Sequence, residues 1–287
     1  MSSYLPDFNL SSVKNLNDAL EKMANAKITP IAGGTDIMVL LDAGKLPKGD
    51  FLDIGKIHEL KTIQESGEDI IFGALCTYTD IRESTYVRNF FPMMAEGARW
   101  SGAIAIQNRG TIGGNICNAS PAGDTPPALL CYDAKIELTN IHGSRWVNYD
   151  EFHLGYKKTI KQPNELLTRI KIKKTNPNRI EEYKKVGTRL AQAISKICFS
   201  GLIELGPEKE IQKARLAWGA VGPYVLRSKE TETILLGRKL SDNIIKDAVK
   251  QLDQEISPIS DIRSNAEYRK KVCLNLLNHF LHQIKGH

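Results

Sequence analysis

Two short segments, 31–36 (IAGGTD) and 109–115 (RGTIGGN), constrain this chain more than any other feature. Each sets paired glycines beside a small hydroxyl or amide residue at the end of an apolar stretch. Glycine lacks Cβ, so such a turn can adopt positive φ and aim successive backbone N–H groups into a concavity that holds an anion. We read both as a strand end followed by a tight loop, and two such loops can grip a diphosphate from both sides. Neither has the G-x-G-x-x-G spacing of a Rossmann turn or the G-x-x-x-x-G-K-[ST] spacing of a P-loop, which argues against an ordinary dehydrogenase or a kinase. Paired glycines also mark plain turns, so the argument rests on two segments of matching character and a third cluster downstream, 118–127 (NASPAGDTPP). That cluster delivers Asp124 to a helix start, where its carboxylate can cap the helix or accept hydrogen bonds from ribose or ribityl hydroxyls.

The surrounding pattern alternates. Residues 15–26 place Leu16, Ala19, Leu20 and Met23 at helical spacing behind a capping Asn15, and the runs 29–32, 51–55 and 70–72 read as strands. Thr77 suits the cap of a further helix, Pro92 the first turn of another, and Pro126 with Pro127 opens a third. Residues 135–147 predict a hairpin turning over 140–143. A strand-like run, 167–172, ends at TNPN (175–178), where Pro and Asn interrupt it and where we place a domain boundary. Beyond lie strand candidates 194–205 and 214–221 and helical patterns 242–252 and 267–284. The whole is an α+β chain in two or three pieces.

At 287 residues the chain can bury a core without staples. Its five cysteines (Cys76, Cys117, Cys131, Cys198, Cys273) include no C-x-x-C and no histidine at ligand spacing, so we expect no metal site and no disulfide framework. Charge is uneven: residues 1–150 hold 13 Lys and Arg against 18 Asp and Glu, the rest 26 against 15. The basic residues are densest over 157–185, but no aromatic interleaving accompanies them, and we expect a solvated face rather than a nucleic-acid site. No apolar run approaches the roughly eighteen residues of a membrane span, and the N-terminus lacks the layout of a signal peptide, so a cytoplasmic protein is expected.

The stretches 32–38 (AGGTDIM) and 109–130 (RGTIGGNICNASPAGDTPPALL) resemble the FAD-binding, medium subunit of the molybdenum hydroxylases, the family of xanthine dehydrogenase and aerobic carbon monoxide dehydrogenase. The closest resemblance is to the FAD-binding subunits of bacterial xanthine dehydrogenases. Segment 183–195 (YKKVGTRLAQAIS) is similar to that branch's K-x-x-x-R-x-x-x-A-I-S region, and 260–277 to its C-terminal helix signature, so the resemblance spans nearly the whole chain. It implies a two-subdomain FAD-binding domain of the vanillyl-alcohol-oxidase/PCMH type, 1–55 and 56–174, followed by a small C-terminal domain of antiparallel sheet and helices, 178–287. It further implies that Ala32, Gly33, Gly34, Thr35 and Asp36, with Thr111, Ile112, Gly113, Gly114 and Asn115, cradle the FAD pyrophosphate through backbone N–H groups, and that the flanking Ile31 and Ile37 also belong to the cofactor site. Asp124 would bind a sugar hydroxyl, Ser101 and Leu167 would contact flavin or adenine, and Lys184 or its neighbour Lys185 would be the lysine near the flavin. An ammonium there favours reduced flavin, which carries negative charge near N1 and the C2 carbonyl.

The sequence departs from two branches of the family. It has no cysteine cluster of the kind that carries an extra iron-sulfur centre in hydroxybenzoyl-CoA reductases, and Leu190-Ala191-Gln192 replaces the acidic pair of eukaryotic xanthine dehydrogenases. The resemblance implies one part of a heteromeric complex, a dimer of heterotrimers. A large subunit holds the molybdenum cofactor, a small subunit holds [2Fe-2S] clusters, and this chain collects their electrons on FAD and passes them to NAD as external acceptor. No proton-transferring catalytic residue is nominated. Two rivals are a self-sufficient flavin oxidase or reductase of the same fold, which needs a base near the flavin that none of the six histidines is placed to supply, and a scaffold that has lost its flavin, against which the intact glycine segments argue.

Overall fold

The computed structural model of the protein describes residues 8–174, 178–189 and 192–286. Thr175, Asn176 and Pro177 of the expected linker, and Leu190 and Ala191, lie outside the described residues. Described residues include no helix long and apolar enough to cross a membrane.

The chain opens with β1 (Phe8–Ser12), α1 (Leu16–Asn25), β2 (Ile28–Ile31), α2 (Thr35–Asp42) and β3 (Gly49–Asp53), and the strands pair in parallel in the order β1-β3-β2. Asn15 caps α1 as its spacing predicts, its Oδ1 accepting from the Asp18 amide at 2.9 Å, while Ala19, Leu20 and Met23 turn inward. Helix α2 starts inside the segment read as a tight loop and runs on through 37–42, which had no assignment from sequence, and none of its residues is fully buried.

A second layer follows. Strands β4 (Ile63–Ser66) and β5 (Asp69–Gly73) lead into six short helices, α3 (Tyr78–Glu83), α4 (Thr85–Phe90), α5 (Pro92–Trp100), α6 (Ile104–Gln107), α7 (Ile112–Asn118) and α8 (Pro126–Cys131). The chain then returns through the hairpin β6 (Lys135–Asn140) and β7 (Gly143–Asn148), a small ribbon β8 (His153–Gly155) and β9 (Lys158–Thr159), and β10 (Leu166–Lys173). The sheet is antiparallel in the order β4-β5-β10-β6-β7, and helices α3 to α8 bury Phe91, Met94, Ile112, Ile116 and Leu129 against its Phe72, Ile136 and Ile170. Thr77 and Asp80 form a reciprocal capping box at α3, and Pro92 and Pro126 stand at the first turns of α5 and α8, where a missing N–H costs nothing.

The C-terminal sheet, β11 (Arg179–Val186), β12 (Ile197–Leu205), β13 (Ile211–Gly219) and β14 (Leu226–Arg227), is antiparallel in chain order. Helices α9 (Lys229–Leu235), α10 (Asp242–Glu255) and α11 (Ala266–Lys285) cover one face, and Phe199 stacks on Trp218 at 4.4 Å and meets Phe280 edge-on. Residues 197–203 of β12 are all buried, without alternation, because α8 covers the face opposite α11.

Strand β11 supplies the seam between this sheet and the second layer. Its odd-numbered residues reach across: an Arg179 Nη2 donates to the Phe90 carbonyl (2.7 Å), Glu181 accepts from the Tyr132 hydroxyl (2.9 Å), and Tyr183 donates to the Asp124 carbonyl (3.1 Å). Lys185 completes the series. The basic run read as one solvated face is thus divided: Lys173 and Lys174 pair with Glu68 and Glu65, Lys171 lies 4.6 Å from the Trp146 ring, and Lys185 is buried.

Candidate functional site

The two glycine segments, 76 positions apart at Gly33 and Arg109, meet. A Cβ on Gly33 would stand 1.8 Å from the Arg109 carbonyl oxygen and 2.6 Å from its carbon, so only glycine permits this approach. Gly34 follows at φ 75°, the left-handed turn that glycine adopts freely, and serves as N-cap of α2 without any side-chain cap. The amides of Thr35, Asp36 and Ile37, in the first turn, have no acceptor within the helix, and the helix dipole adds positive potential there. Asp36 is tied to the end of α7 through Asn118, whose Nδ2 donates to its Oδ1 at 3.2 Å.

The second segment is built differently from the loop that its sequence suggests. Gly113 and Gly114 lie in the first turn of α7, preceded by α6 rather than by a strand, and Thr111 is the N-cap. Its four leading amides are already engaged: Ile112 donates to the Cys76 carbonyl, Gly113 to that of Ala74 (both 2.9 Å), Gly114 to Thr111 Oγ1 (3.1 Å) and Asn115 to the Thr111 carbonyl (3.0 Å). Gly113 is needed for packing, since a Cβ would lie 2.7 Å from Ala74. The open amides therefore belong to the first segment, while the second forms the wall against which it closes.

Beside this contact lies an open cleft of ≈ 310 Å³ lined by Ala32, Gly33, Lys56, Lys61, Arg109 and Thr111 among others. Of its three cations, Arg109 opens the second glycine segment, whereas Lys56 and Lys61 belong to no motif. Lys56 and Lys61 follow β3 in an ordinary-looking turn, and nothing local reveals that β3 ends beside Gly33. Three cations line the cleft, and the open first turn of α2 starts just past its Gly33; the one carboxylate among the lining, Asp53, already accepts from the Gly55 amide and the Ser12 hydroxyl, so the residues present fit the diphosphate of a dinucleotide.

A second cluster adjoins the first through Tyr78, whose ring lies against Gly110: a Cβ on that glycine would stand 2.9 Å from the ring. Here Asp124 does not cap α8, whose N-cap is Thr125 without a side-chain bond. Its Oδ2 instead accepts from Lys185 Nζ (2.8 Å) and its Oδ1 from Ser195 Oγ (2.6 Å), while Lys185 also donates to the Trp100 carbonyl (2.8 Å). Burial pushes the Asp124 carboxyl up, and the Lys185 charge and the two hydrogen bonds oppose it. Lys185 is thus committed to a carboxylate rather than presenting a bare ammonium. Lys184, one step along β11, faces outward and pairs with Glu182 at 3.1 Å. Ser101 ends α5 beside Trp100, its Oγ donating to the Gly97 carbonyl (2.8 Å), and Leu167 is buried in β10 opposite Leu138. The structure therefore gathers residues 31–37 with 111–115, and Ser101 with Asp124 and Lys185. Leu167 lies in the sheet beneath α7, and Lys184 stands apart.

Residues 6–174 match the family described as the FAD binding domain in molybdopterin dehydrogenase, and residues 181–284 match the CO dehydrogenase flavoprotein C-terminal domain. The chain is 32% identical to the glyceraldehyde dehydrogenase medium chain of Sulfolobus acidocaldarius, over 94% of this chain and 95% of that one. It is 27% identical to the xanthine dehydrogenase FAD-binding subunit of Escherichia coli O157:H7, over 88% of each. Among solved structures, a reconstituted CO dehydrogenase from Oligotropha carboxidovorans superposes with a TM-score of 0.92 at 25% identity, covering 99% of both chains.

Proposed function

Because this chain belongs to the FAD-binding medium subunits of the molybdenum hydroxylases, a family of oxidoreductases, we propose that it is the electron-transfer subunit of such a complex. In this reading it receives electrons from the [2Fe-2S] clusters of a small partner subunit, which are filled from a large subunit holding the molybdenum cofactor, and delivers them to NAD. FAD supplies the ability to exchange electrons singly on one side and in a pair on the other. We place the complex in the cytoplasm as a dimer of heterotrimers, and divide the chain into 1–55, 56–174 and 178–287.

The residues have separable tasks. The open amides of Thr35, Asp36 and Ile37, with Lys56, Lys61 and Arg109, hold the diphosphate. Gly33 sets the distance between the segments, and Thr111 with Gly113 anchors the α7 wall. Ile31 and Ala32 carry the strand end into the turn, while Ile112, Gly114 and Asn115 fix the first turn of α7. Asp124, paired with Lys185 at 2.8 Å, accepts from a sugar-type hydroxyl; Ser101 and Leu167 bound the ring-bearing ends. The acidic half of the chain and its basic half give partner subunits an electrical polarity to align against.

The observation that carries this reading is the approach of Gly33 to Arg109, which puts the turn leading into α2 on the wall of a cleft lined by three cations. The test is the visible spectrum and FAD affinity of the purified full chain. A flavin band with little NADH oxidation by the chain alone is expected, and restored turnover on adding the partner subunits. Rapid turnover by the isolated chain on a substrate of its own contradicts the subunit role.

A further inference from the structure

The Asp124 cluster contains one member, the last residue of the 183–195 segment, to which no role has been given above. Ser195 lies just before β12, is 1% exposed, and spends its hydroxyl on Asp124 Oδ1 at 2.6 Å. The other oxygen of the same carboxylate takes Lys185 at 2.8 Å, and the main-chain carbonyl of Asp124 takes the Tyr183 hydroxyl at 3.1 Å. Donors on opposite carboxylate oxygens stop the group from rotating about its last bond, and each oxygen retains one acceptor position. Those positions suit a neutral donor such as an alcohol, because Lys185 already balances the charge.

We propose that Ser195 is a positioning residue for the cofactor, locking the Asp124 carboxylate with Lys185 so that its remaining lone pairs face a hydroxyl-bearing chain of the ribityl or ribose type. This rests on the FAD-binding function above and adds to it a residue from the C-terminal part of the molecule. The titratable groups around Asp124 are Lys185 and Tyr183 on β11, Cys198 on β12 and Tyr78 on α3, with Glu96 of α5 beyond Tyr183. Of these, only Lys185 is a cation. Burial raises the Asp124 carboxyl, so removing the Ser195 donor leaves it easier to protonate.

The experiment measures FAD affinity of the full chain by flavin fluorescence between about pH 8 and about pH 5, for the unmodified protein, Ser195→Ala, Asp124→Asn and Ser200→Ala. Ser200 is a control, a buried hydroxyl on β12 that has no partner. Ser195→Ala is expected to bind FAD about tenfold more weakly at the upper pH, as loss of a hydrogen bond to a charged group implies, and to release it at a pH about one unit higher. Ser200→Ala should match the unmodified protein, and Asp124→Asn should lose the pH dependence. A purely structural Ser195 would lower thermal stability without moving the pH of release. Ser195→Ala binding within twofold of the unmodified protein at every pH overturns the proposal, as does an unchanged pH dependence in Asp124→Asn. An unmodified chain that takes up no FAD overturns the function it rests on, a distinct outcome.

Discussion

At the residue scale the site depends on Gly33, a glycine used for closeness rather than for flexibility. Gly33 has an ordinary negative φ but stands where a methyl group would overlap the Arg109 carbonyl, so Gly33→Ala must push two backbones apart. We expect it to cost about 1–3 kcal/mol of stability and to weaken FAD binding at least about tenfold, read by thermal melts and by flavin fluorescence titration. Gly67 is the informative contrast: its φ of 61° strains any side chain, yet nothing lies within 4 Å of a Cβ there. Gly67→Ala should therefore lose about 1 kcal/mol while binding FAD normally. If both variants weaken binding equally, general destabilisation explains the loss, and the approach of the two segments does not. The sequence shows Gly33 but not what it is pressed against, because Arg109 lies 76 positions away.

At the element scale, legibility followed the range of the forces involved. Helices α1, α5, α8, α10 and α11 and the β6–β7 hairpin carry their caps, prolines and periodicities within a few residues, and each was readable. Helix α2 was not, because IMVLL is apolar all round and offers no periodic face. Helix α7 was hidden by two glycines, each disfavouring a helix by about 1 kcal/mol; Thr111 and the carbonyls of Ala74 and Cys76 hold it, and the last two lie over 30 residues away. Strand β11 (RIEEYKKV) conceals its alternation in a charge run, since both of its faces carry ionisable residues. The turn before α11 shows a local device with a pH consequence. Burial alone would raise the Asp261 carboxyl, but the Arg263 and Ser264 amides and the Arg269 guanidinium together hold it at about 2. Its folded pKa is depressed, so its contribution is complete above the unfolded value of 3.8 and is lost as pH falls through about 2. Asp261→Asn should lower stability on the order of 1 kcal/mol near neutrality, given solvent screening, and the difference from the unmodified protein should shrink as melts are run from about pH 5 down to about pH 2.

For the whole molecule, the seam along β11 decides whether the chain unfolds in parts. The odd-numbered side chains of one strand touch α4, α5, the loop before α8, and Tyr132 just after α8, and two of them end on the Asp124 cluster. Loosening the C-terminal sheet therefore disturbs the Asp124 cluster of the proposed cofactor site directly. Tyr132 tests this coupling at a distance from the cofactor residues: its hydroxyl oxygen accepts the Met93 amide at 3.1 Å and donates to Glu181 at 2.9 Å, both within buried surroundings. Tyr132→Phe leaves the Met93 amide without its acceptor, while Glu181 keeps Arg179, so the loss should be about 1–3 kcal/mol. Heating the FAD-loaded chain, followed by flavin absorbance and far-ultraviolet circular dichroism together, should give coincident transitions in the unmodified protein. In Tyr132→Phe both should move down by the same interval, because sheet and site open as one unit. Separate transitions, with the flavin released at an unchanged temperature while the sheet melts earlier, would show that the seam transmits nothing and that the layers hold the site independently.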